Sequence, residues 1–245
     1  MIKNVNEIGT TETYDPCFDY SWVNNLRPVN IIITKSLTDK MIDTLVTEEC
    51  MKTCILHMTV TGWGGSNIEP GVGGFLWSRN QYYKLIDKGF DQDRIILRID
   101  PIIPTKEGIT LLELVLMAFT ITKISTVRVS IIDMYPHVVN RMRDEAPFNS
   151  FQAPDYMIKE VDNILGKWSS RYDFVSCAEP KLTNTRKVGC VSIDDINRIP
   201  ESGVTIEGSS RQRSNCLCPS NKVNIIRRKP SRCPHKCLYC YWKED

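Results

Sequence analysis

Short runs of β-branched and other apolar residues recur along the chain, and each of the first five precedes a stretch with helical periodicity. The runs occupy 29–34, 54–61, 94–100, 127–133, 173–177 and 222–227. The helical stretches occupy 37–46, 78–88, 110–119, 155–168 and 193–199. Strands that alternate with amphipathic helices build parallel sheets from βα units, and continuous Ile/Val runs are typical of parallel strands buried on both faces. The sequence therefore predicts an α/β fold around a parallel sheet.

Six βα units fit a partial (β/α)6 barrel that is open on one side, and the absence of an internal sequence repeat favours a single domain over residues 1–245. In barrels of parallel strands the chemistry takes place at the carboxyl ends of the strands. Polar side chains follow these ends at Thr34, Lys35, Ser36, Arg98 and Asp100. Because a charged side chain is costly in a core, these residues predict a lined cavity. The alternative is that some of them, such as Ser36, cap the following helices.

The composition is that of an ordinary globular protein, with 42% hydrophobic and 24% charged residues. No apolar run approaches the roughly 20 residues that span a bilayer, and the first residues lack the apolar core of a signal peptide. We therefore expect a cytoplasmic protein with no membrane partner, in a compartment where thiols stay reduced. Ten cysteines in such a compartment indicate metal or cluster ligation rather than disulfides.

The cysteines nearest the end of the chain form a compact motif. Cys233, Cys237 and Cys240 have the spacing CxxxCxxC, and Tyr239 precedes the last of them. Clusters that only carry electrons normally take four cysteines, and structural zinc sites also close four positions. A [4Fe–4S] cluster on three cysteines keeps one iron free to bind a substrate or cofactor. The alternative is a zinc knuckle in which His235 serves as the fourth ligand.

This spacing is that of the radical S-adenosylmethionine (SAM) enzymes, and other stretches resemble one branch of them. Residues 30–36, 59–62 with 68–71, and 100–104 are similar to successive strand ends of the spore photoproduct lyase-like radical SAM proteins. In those proteins the cysteine motif comes first in the chain, whereas here the last strand and the cluster loop lie at 222–242. The chain thus resembles a circularly permuted radical SAM barrel, an order shared with an uncharacterised bacterial family that also ends in Cys-x-Tyr-Cys-Tyr.

The resemblance implies roles for individual residues. Cys233, Cys237 and Cys240 would bind the cluster. Thr34, Lys35 and Ser36 would contact the amino end of SAM. Tyr239 would pack near the adenine, with a plain core tyrosine as the alternative. Arg98 and Asp100 would face the cavity, where the arginine could clamp a carboxylate through two hydrogen bonds; the alternative is an internal ion pair between these two residues.

Four other cysteines lie near the ends of the fifth and sixth units. They are Cys177, Cys190, Cys216 and Cys218. Four thiolates can complete a second [4Fe–4S] cluster that relays electrons or anchors substrate. We expect this second cluster, with a four-cysteine zinc site that holds the long loop as the alternative. The three remaining cysteines, Cys17, Cys50 and Cys54, have the pattern of buried thiols.

The resemblance also implies an activity. A reduced cluster would pass an electron to SAM, and the resulting 5′-deoxyadenosyl radical would take a hydrogen atom from a substrate. The implied cofactors are a [4Fe–4S] cluster and SAM, and the implied partner is an electron donor such as flavodoxin or ferredoxin. The main alternative from another class is a zinc-stabilised nucleic-acid-binding protein without catalytic activity.

The substrate is suggested by two features. The spore photoproduct lyases act on a thymine-derived lesion in DNA. The chain also carries a basic segment near its cysteine motif, made of Arg211, Arg213, Lys222, Arg227, Arg228, Lys229, Arg232, Lys236 and Lys243. Such a segment can attract phosphates or can be an ordinary solvated surface. Together they favour a thymine-like base in DNA or in a nucleotide, with a small metabolite or peptide as the alternative.

Overall fold

One parallel sheet organises the chain. The computed structural model describes residues 6–145, 148–210, 215–227 and 233–242. Within these ranges eight parallel strands have the order β7-β6-β5-β4-β3-β2-β1-β8. The strands are β1 (Ile8–Thr10), β2 (Val29–Thr34), β3 (Cys54–Thr59), β4 (Ile95–Ile102), β5 (Thr126–Ile131), β6 (Asp173–Ser176), β7 (Arg186–Lys187) and β8 (Lys222–Asn224). The prediction of an α/β fold with a parallel sheet is confirmed.

Seven α-helices connect the strands in the described part of the chain. They are α1 (Asp39–Leu45), α2 (Glu48–Thr53), α3 (Phe75–Asp87), α4 (Lys106–Phe119), α5 (Pro136–Arg141), α6 (Asp155–Trp168) and α7 (Ile193–Ile196). Three short 3-10 helices occupy Tyr20–Asn25, Gln92–Arg94 and Pro200–Ser202. No helix within the described ranges combines the length and the apolar character that a membrane crossing requires.

All six predicted strands are present, and the described sheet has two further strands, β1 and β7. β1 lies between β2 and β8, and β7 pairs with β6 at the other edge of the sheet. β1 has three residues, one of them Gly9, and β7 has two exposed residues, Arg186 and Lys187. Neither is long enough to show the apolar run by which a strand is recognised.

The two faces of the sheet are covered differently, because successive side chains of a strand point to opposite faces. Ile32, Leu56 and Leu97 belong to the core cluster that also contains the buried apolar side chains of α1, α3, α4 and α6. Their chain neighbours Ile31, Ile55 and Ile96 belong to a smaller cluster, completed by four residues of the segment 191–204: Val191, Ile196, Ile199 and Val204. The second face therefore has no long helix against it within the described residues.

The sheet is curved around this second face. Cys177 directly follows β6, and Cys218 lies four residues before β8, yet their Sγ atoms are within 4.8 Å of each other. β6 and β8 are six strand spacings apart, which is about 29 Å in a flat sheet. Four extended residues reach about 14 Å. The two thiols meet because the curvature of the sheet brings its edges towards each other.

Candidate functional site

The three-cysteine loop docks on residues 68–71, which follow β3. The amide nitrogen of Leu238 donates to the carbonyl of Ile68 at 3.0 Å. The amide nitrogen of Gly71 donates to the carbonyl of His235 at 3.1 Å, and Nδ1 of His235 lies 2.9 Å from the carbonyl of Gly71. These backbone contacts hold the loop at the carboxyl end of the sheet, where the sequence predicts the chemistry.

Helix α5 holds the loop from another side. Nε of Arg141 donates to the carbonyl of Leu238 at 2.9 Å, and Nη2 donates to that of Cys240 at 2.5 Å. Nε2 of His137 lies 3.1 Å from the carbonyl oxygen of Tyr241. Guanidinium bonds to carbonyl oxygens are charge-assisted and directional, so Arg141 fixes the backbone around the last cysteine.

The three thiols of the loop are partly enclosed. Cys237 is buried, and Cys233 and Cys240 are half-buried. Burial raises the pKa of Cys233 to about 11 and that of Cys237 to about 12. Since metals bind the thiolate, a metal or cluster would displace the protons of these two thiols. The three sulfur atoms of this loop are not all within 4.8 Å of one another.

A buried polar network lies beside Cys237. Nζ of Lys35 lies 2.9 Å from Oε1 of Glu69 and donates to the hydroxyl of Tyr239 at 2.6 Å. The hydroxyl of Tyr239 in turn donates to Glu69, and Oγ1 of Thr61 donates to Oε2 of Glu69 at 2.7 Å. Burial alone would lower the pKa of Lys35, but the charge and hydrogen bond of Glu69, together with the charges of Cys237 and Asp100, outweigh burial and raise that pKa. Lys35 therefore stays charged next to the thiols.

Asp15 organises the end of β2, although its sequence context gives no sign of this. Oγ1 of Thr34 donates to Oδ1 of Asp15 at 2.7 Å, and the amide nitrogen of Lys35 donates to Oδ2 at 2.8 Å. The amide of Ser36 donates to Oγ1 of Thr34 at 3.0 Å. Burial opposes ionisation of Asp15, but the hydrogen bond and charge of His235, together with the hydrogen bonds from Lys35 and Thr34, lower its pKa below the usual range. Thr34 and Ser36 are thus engaged with Asp15 and with each other.

His235 has an oxygen partner at each ring nitrogen. Nε2 lies 2.9 Å from Oδ2 of Asp15, and Nδ1 lies against the carbonyl of Gly71. One potential ligand atom each of Asp15, Cys17 and His235 lies within 4.8 Å of the others. The hydrogen bonds already account for this proximity, and a metal at His235 would have to break one of them.

Arg98 and Asp100 form the internal ion pair that the sequence left as the alternative. Nη2 of Arg98 donates to Oδ2 of Asp100. Nε and Nη1 of Arg98 have no hydrogen-bond partner in the described part of the chain, although the residue is only 8% exposed. Unpaired buried donors are costly, so this guanidinium retains capacity for a further acceptor at the helix-free face.

The four other cysteines come together, as the sequence predicts. The sulfur atoms of Cys177, Cys216 and Cys218 lie within 4.8 Å of one another, and the amide of Cys190 donates to Sγ of Cys218 at 3.2 Å. The thiol of Cys190 also contacts the thiols of Cys177 and Cys218. The hydrogen bond with Cys190 raises the pKa of Cys177 to about 11, and that with Cys177 raises the pKa of Cys218 to about 11. These cysteines form a group that can bind a metal.

A family model described as "Domain of unknown function (DUF1848)" matches residues 20–242. The chain belongs to this family. A search of the curated proteins finds no match to the chain. The DUF1848 match contains both cysteine groups, Lys35 and Glu69, whereas Asp15 and Cys17 precede it.

The basic segment near the cysteine loop is only partly available for a partner in the described residues. The side chain of Lys222 is buried, and its Nζ lies 2.7 Å from the carboxylate of Glu12, whereas Arg227 and Lys236 are exposed. The other basic residues of the segment lie outside the described residues: Arg211, Arg213, Arg228, Lys229, Arg232 and Lys243.

Proposed function

We propose that the chain is a radical SAM enzyme with a [4Fe–4S] cluster on Cys233, Cys237 and Cys240. The observation that carries the proposal is the docking of this three-thiol loop at the carboxyl end of a parallel sheet, beside the buried Lys35 and Glu69. When bound, such a cluster supplies the electron that cleaves SAM into methionine and a 5′-deoxyadenosyl radical, which takes a hydrogen atom from a substrate. The protein's share is binding, orientation and exclusion of water.

The fold proposed with this activity is an open, circularly permuted (β/α) barrel. Two findings support it: the strands from β1 to β7 follow chain order across a curved sheet, and the long helices pack on one face. β8 pairs with β1 in parallel register from Lys222 and Ile8. Strands from the two ends of the chain are therefore neighbours, which is the arrangement that a permutation requires.

The donor set fits the proposed cofactors. Three thiols supply three ligands and leave one position for a cofactor, as an open-iron cluster needs. Lys35, Glu69 and Tyr239 lie beside Cys237 and are the side chains that we assign to SAM, with Glu69 added to the sequence prediction. The amide of Ser36 donates to Thr34, and Thr34 donates to Asp15, which in turn contacts His235, two residues after the first cysteine of the loop.

For the substrate we propose a thymine-like base in DNA or in a nucleotide. The exposed Arg227 and Lys236 support a phosphate-bearing molecule, and the unpaired donors of Arg98 offer a contact for a carbonyl or phosphate oxygen. An electron donor such as flavodoxin or ferredoxin completes the proposal. A small metabolite or peptide would use Arg98 without the exposed basic residues.

The zinc-stabilised binding protein is the second candidate, and it depends on His235 as a fourth ligand. Both ring nitrogens of His235 face oxygen atoms, of Asp15 and of Gly71. Zinc needs a free imidazole nitrogen, so this arrangement favours the cluster over the zinc knuckle.

Cleavage of SAM tests the proposal. The full chain is reconstituted with iron and sulfide without oxygen, reduced with dithionite and mixed with SAM, and 5′-deoxyadenosine is measured by chromatography. We expect product from the unchanged chain and from Cys50→Ala, which alters a buried cysteine of α2, but none from Cys237→Ala. A thymine-rich oligonucleotide should increase the yield if DNA is the substrate. Equal product from Cys237→Ala and the unchanged chain would contradict the proposal.

A further inference from the structure

We infer that Cys177, Cys190, Cys216 and Cys218 hold one tetrahedral ion, zinc, which ties the two edges of the curved sheet together. This site is separate from the three-cysteine loop, and the inference does not depend on the proposed enzymatic activity. It selects the zinc alternative over the second [4Fe–4S] cluster that the sequence favours.

The spacing of the sulfur atoms carries the choice of metal centre. Zn–S bonds of about 2.3 Å in a tetrahedron place the sulfur atoms about 3.8 Å apart. The ligand atoms of Cys177, Cys216 and Cys218 are within 4.8 Å of one another, and Cys190 contacts two of these thiols. In a four-iron cluster each cysteine binds a different iron, so its sulfur atoms stand farther apart. Three of the four sulfur atoms thus lie close enough together to share a single ion, and the thiol of Cys190 adjoins two of them.

The backbone around the group is arranged for close approach. The amide of Cys190 donates to Sγ of Cys218 at 3.2 Å, a bond that supports a thiolate ligand. A Cβ atom on Gly189 would stand 2.6 Å from the carbonyls of Leu217 and Val191. Glycine at this position therefore lets the segment before Cys190 lie against the segment that carries Cys216 and Cys218.

Nearby cations suit a negatively charged centre. Four thiolates around a divalent zinc ion carry a net charge of about −2. The charge of Lys222 acts on Cys218, and Arg98 interacts with Cys190. Both cationic side chains are buried, where opposite charges interact more strongly than in water.

The four cysteines come from both edges of the sheet, so an ion bound to them would stabilise the fold. Cys177 and Cys190 follow β6 and β7 at one edge of the sheet, and Cys216 and Cys218 precede β8 at the other. An ion bound to all four connects segments that the hydrogen bonds of the sheet leave apart. It would stabilise the curvature and hold the helix-free face, including Arg98, in one shape.

Metal analysis of two chains tests the inference. The full chain and a Cys233→Ala/Cys237→Ala/Cys240→Ala variant are purified without oxygen. Both are incubated with iron, sulfide and zinc, and unbound metal is then removed before the bound metal is measured. We expect about one zinc ion in both chains. Iron retained by the variant, or no zinc in it, would overturn the inference. An iron-free unchanged chain that still binds one zinc would instead count against the proposed function alone.

Cobalt gives a second readout that does not require any change in the four cysteines. In the same three-cysteine variant, Co²⁺ in place of zinc should show the visible absorption of a tetrahedral tetrathiolate site. Removal of the ion with a chelator should lower the melting temperature, and added zinc should restore it. A weak octahedral cobalt spectrum, or a melting temperature unchanged by the chelator, would contradict a single stabilising ion bound by these four cysteines.

Discussion

Gly71 and His235 are joined by reciprocal hydrogen bonds, since the amide of Gly71 donates to the carbonyl of His235 and Nδ1 of His235 bonds to the carbonyl of Gly71. The approach is so close that a Cβ atom on Gly71 would stand 2.3 Å from the carbonyl oxygen of Pro234 and 2.7 Å from Cα of His235. This contact connects the cysteine loop to the segment that carries Glu69.

Gly71→Ala should therefore displace the loop, because the new methyl group meets backbone rather than a movable side chain. We expect a loss of roughly 2 kcal/mol in the free energy of unfolding and poor retention of iron after reconstitution. Gly74→Ala is the matched control, since its Cβ would find no atom closer than 3.9 Å and its φ is −63°. Iron and stability that are equal in the two variants would show that the contact is unimportant.

Arg141 should govern how firmly the last cysteine is held. Arg141→Gln removes the charged donors to the carbonyls of Leu238 and Cys240, and hydrogen bonds to charged groups contribute about 1.5 to 3 kcal/mol each. We expect the reconstituted variant to lose iron faster in air. The visible absorption of the cluster, recorded over time, measures this rate. Arg143→Gln changes an exposed arginine of the same region and should leave the rate unchanged.

The ion pair of Lys35 and Glu69 should matter for stability because the carboxylate is 1% exposed. Lys35→Met leaves this buried charge without its cation, which costs about 3 kcal/mol. Urea unfolding measures the loss. Lys52→Met breaks the exposed pair with Glu48 and should have no measurable effect. An equally small effect of Lys35→Met would mean that Thr61 and Tyr239 satisfy Glu69 by themselves.

His57 should make the protein sensitive to acid. Its side chain is buried, with Nε2 3.2 Å from Oδ1 of Asp195, and the charges of Arg128 and Arg98 also act on it. Burial, more than any other cause, lowers the pKa of His57 from 6.5 to about 4. Below pH 6.5, His57 of the unfolded chain binds a proton, whereas His57 of the folded chain stays neutral down to about pH 4. The contribution of His57 to the free energy of unfolding is therefore fully present above pH 6.5 and is lost as the pH falls from 6.5 to 4.

The expected loss over this range is about 3 kcal/mol, from about 1.36 kcal/mol per pKa unit. Urea unfolding at several pH values should show it as a steeper decline for the unchanged chain than for His57→Gln, which cannot take up the proton. Parallel pH profiles of the two proteins would show that His57 is not the residue responsible.

Much of the fold can be predicted from the sequence where a segment is buried on a clear periodic pattern. β2 and α6 have the predicted bounds, 29–34 and 155–168. α2 and α5, each of six residues, were not predicted. The short edge strand β7 lies on the surface and has no apolar signal.

Some residues of the candidate site could also be predicted from local sequence patterns, and others could not. Cysteine spacing is a local signal for Cys233, Cys237 and Cys240 and for the pair Cys216 and Cys218, so these could be found in the sequence. Asp15 meets His235 across 220 residues of chain, and Arg141 meets Cys240 across 99. Such contacts depend on how the elements pack, and no pattern near either residue predicts them. Glu69 belongs to a stretch that the resemblance includes, but its bonds to Lys35 and Tyr239 also join residues far apart in the chain, across 34 and 170 residues.

The most direct test of the central claim is the electron paramagnetic resonance spectrum of the reduced, anaerobically reconstituted protein, recorded with and without SAM. We predict the signal of a reduced [4Fe–4S] cluster that shifts when SAM is added, and that disappears in Cys237→Ala. A cluster signal that is identical with and without SAM, or a chain that takes up no iron at Cys233, Cys237 and Cys240, would contradict the account.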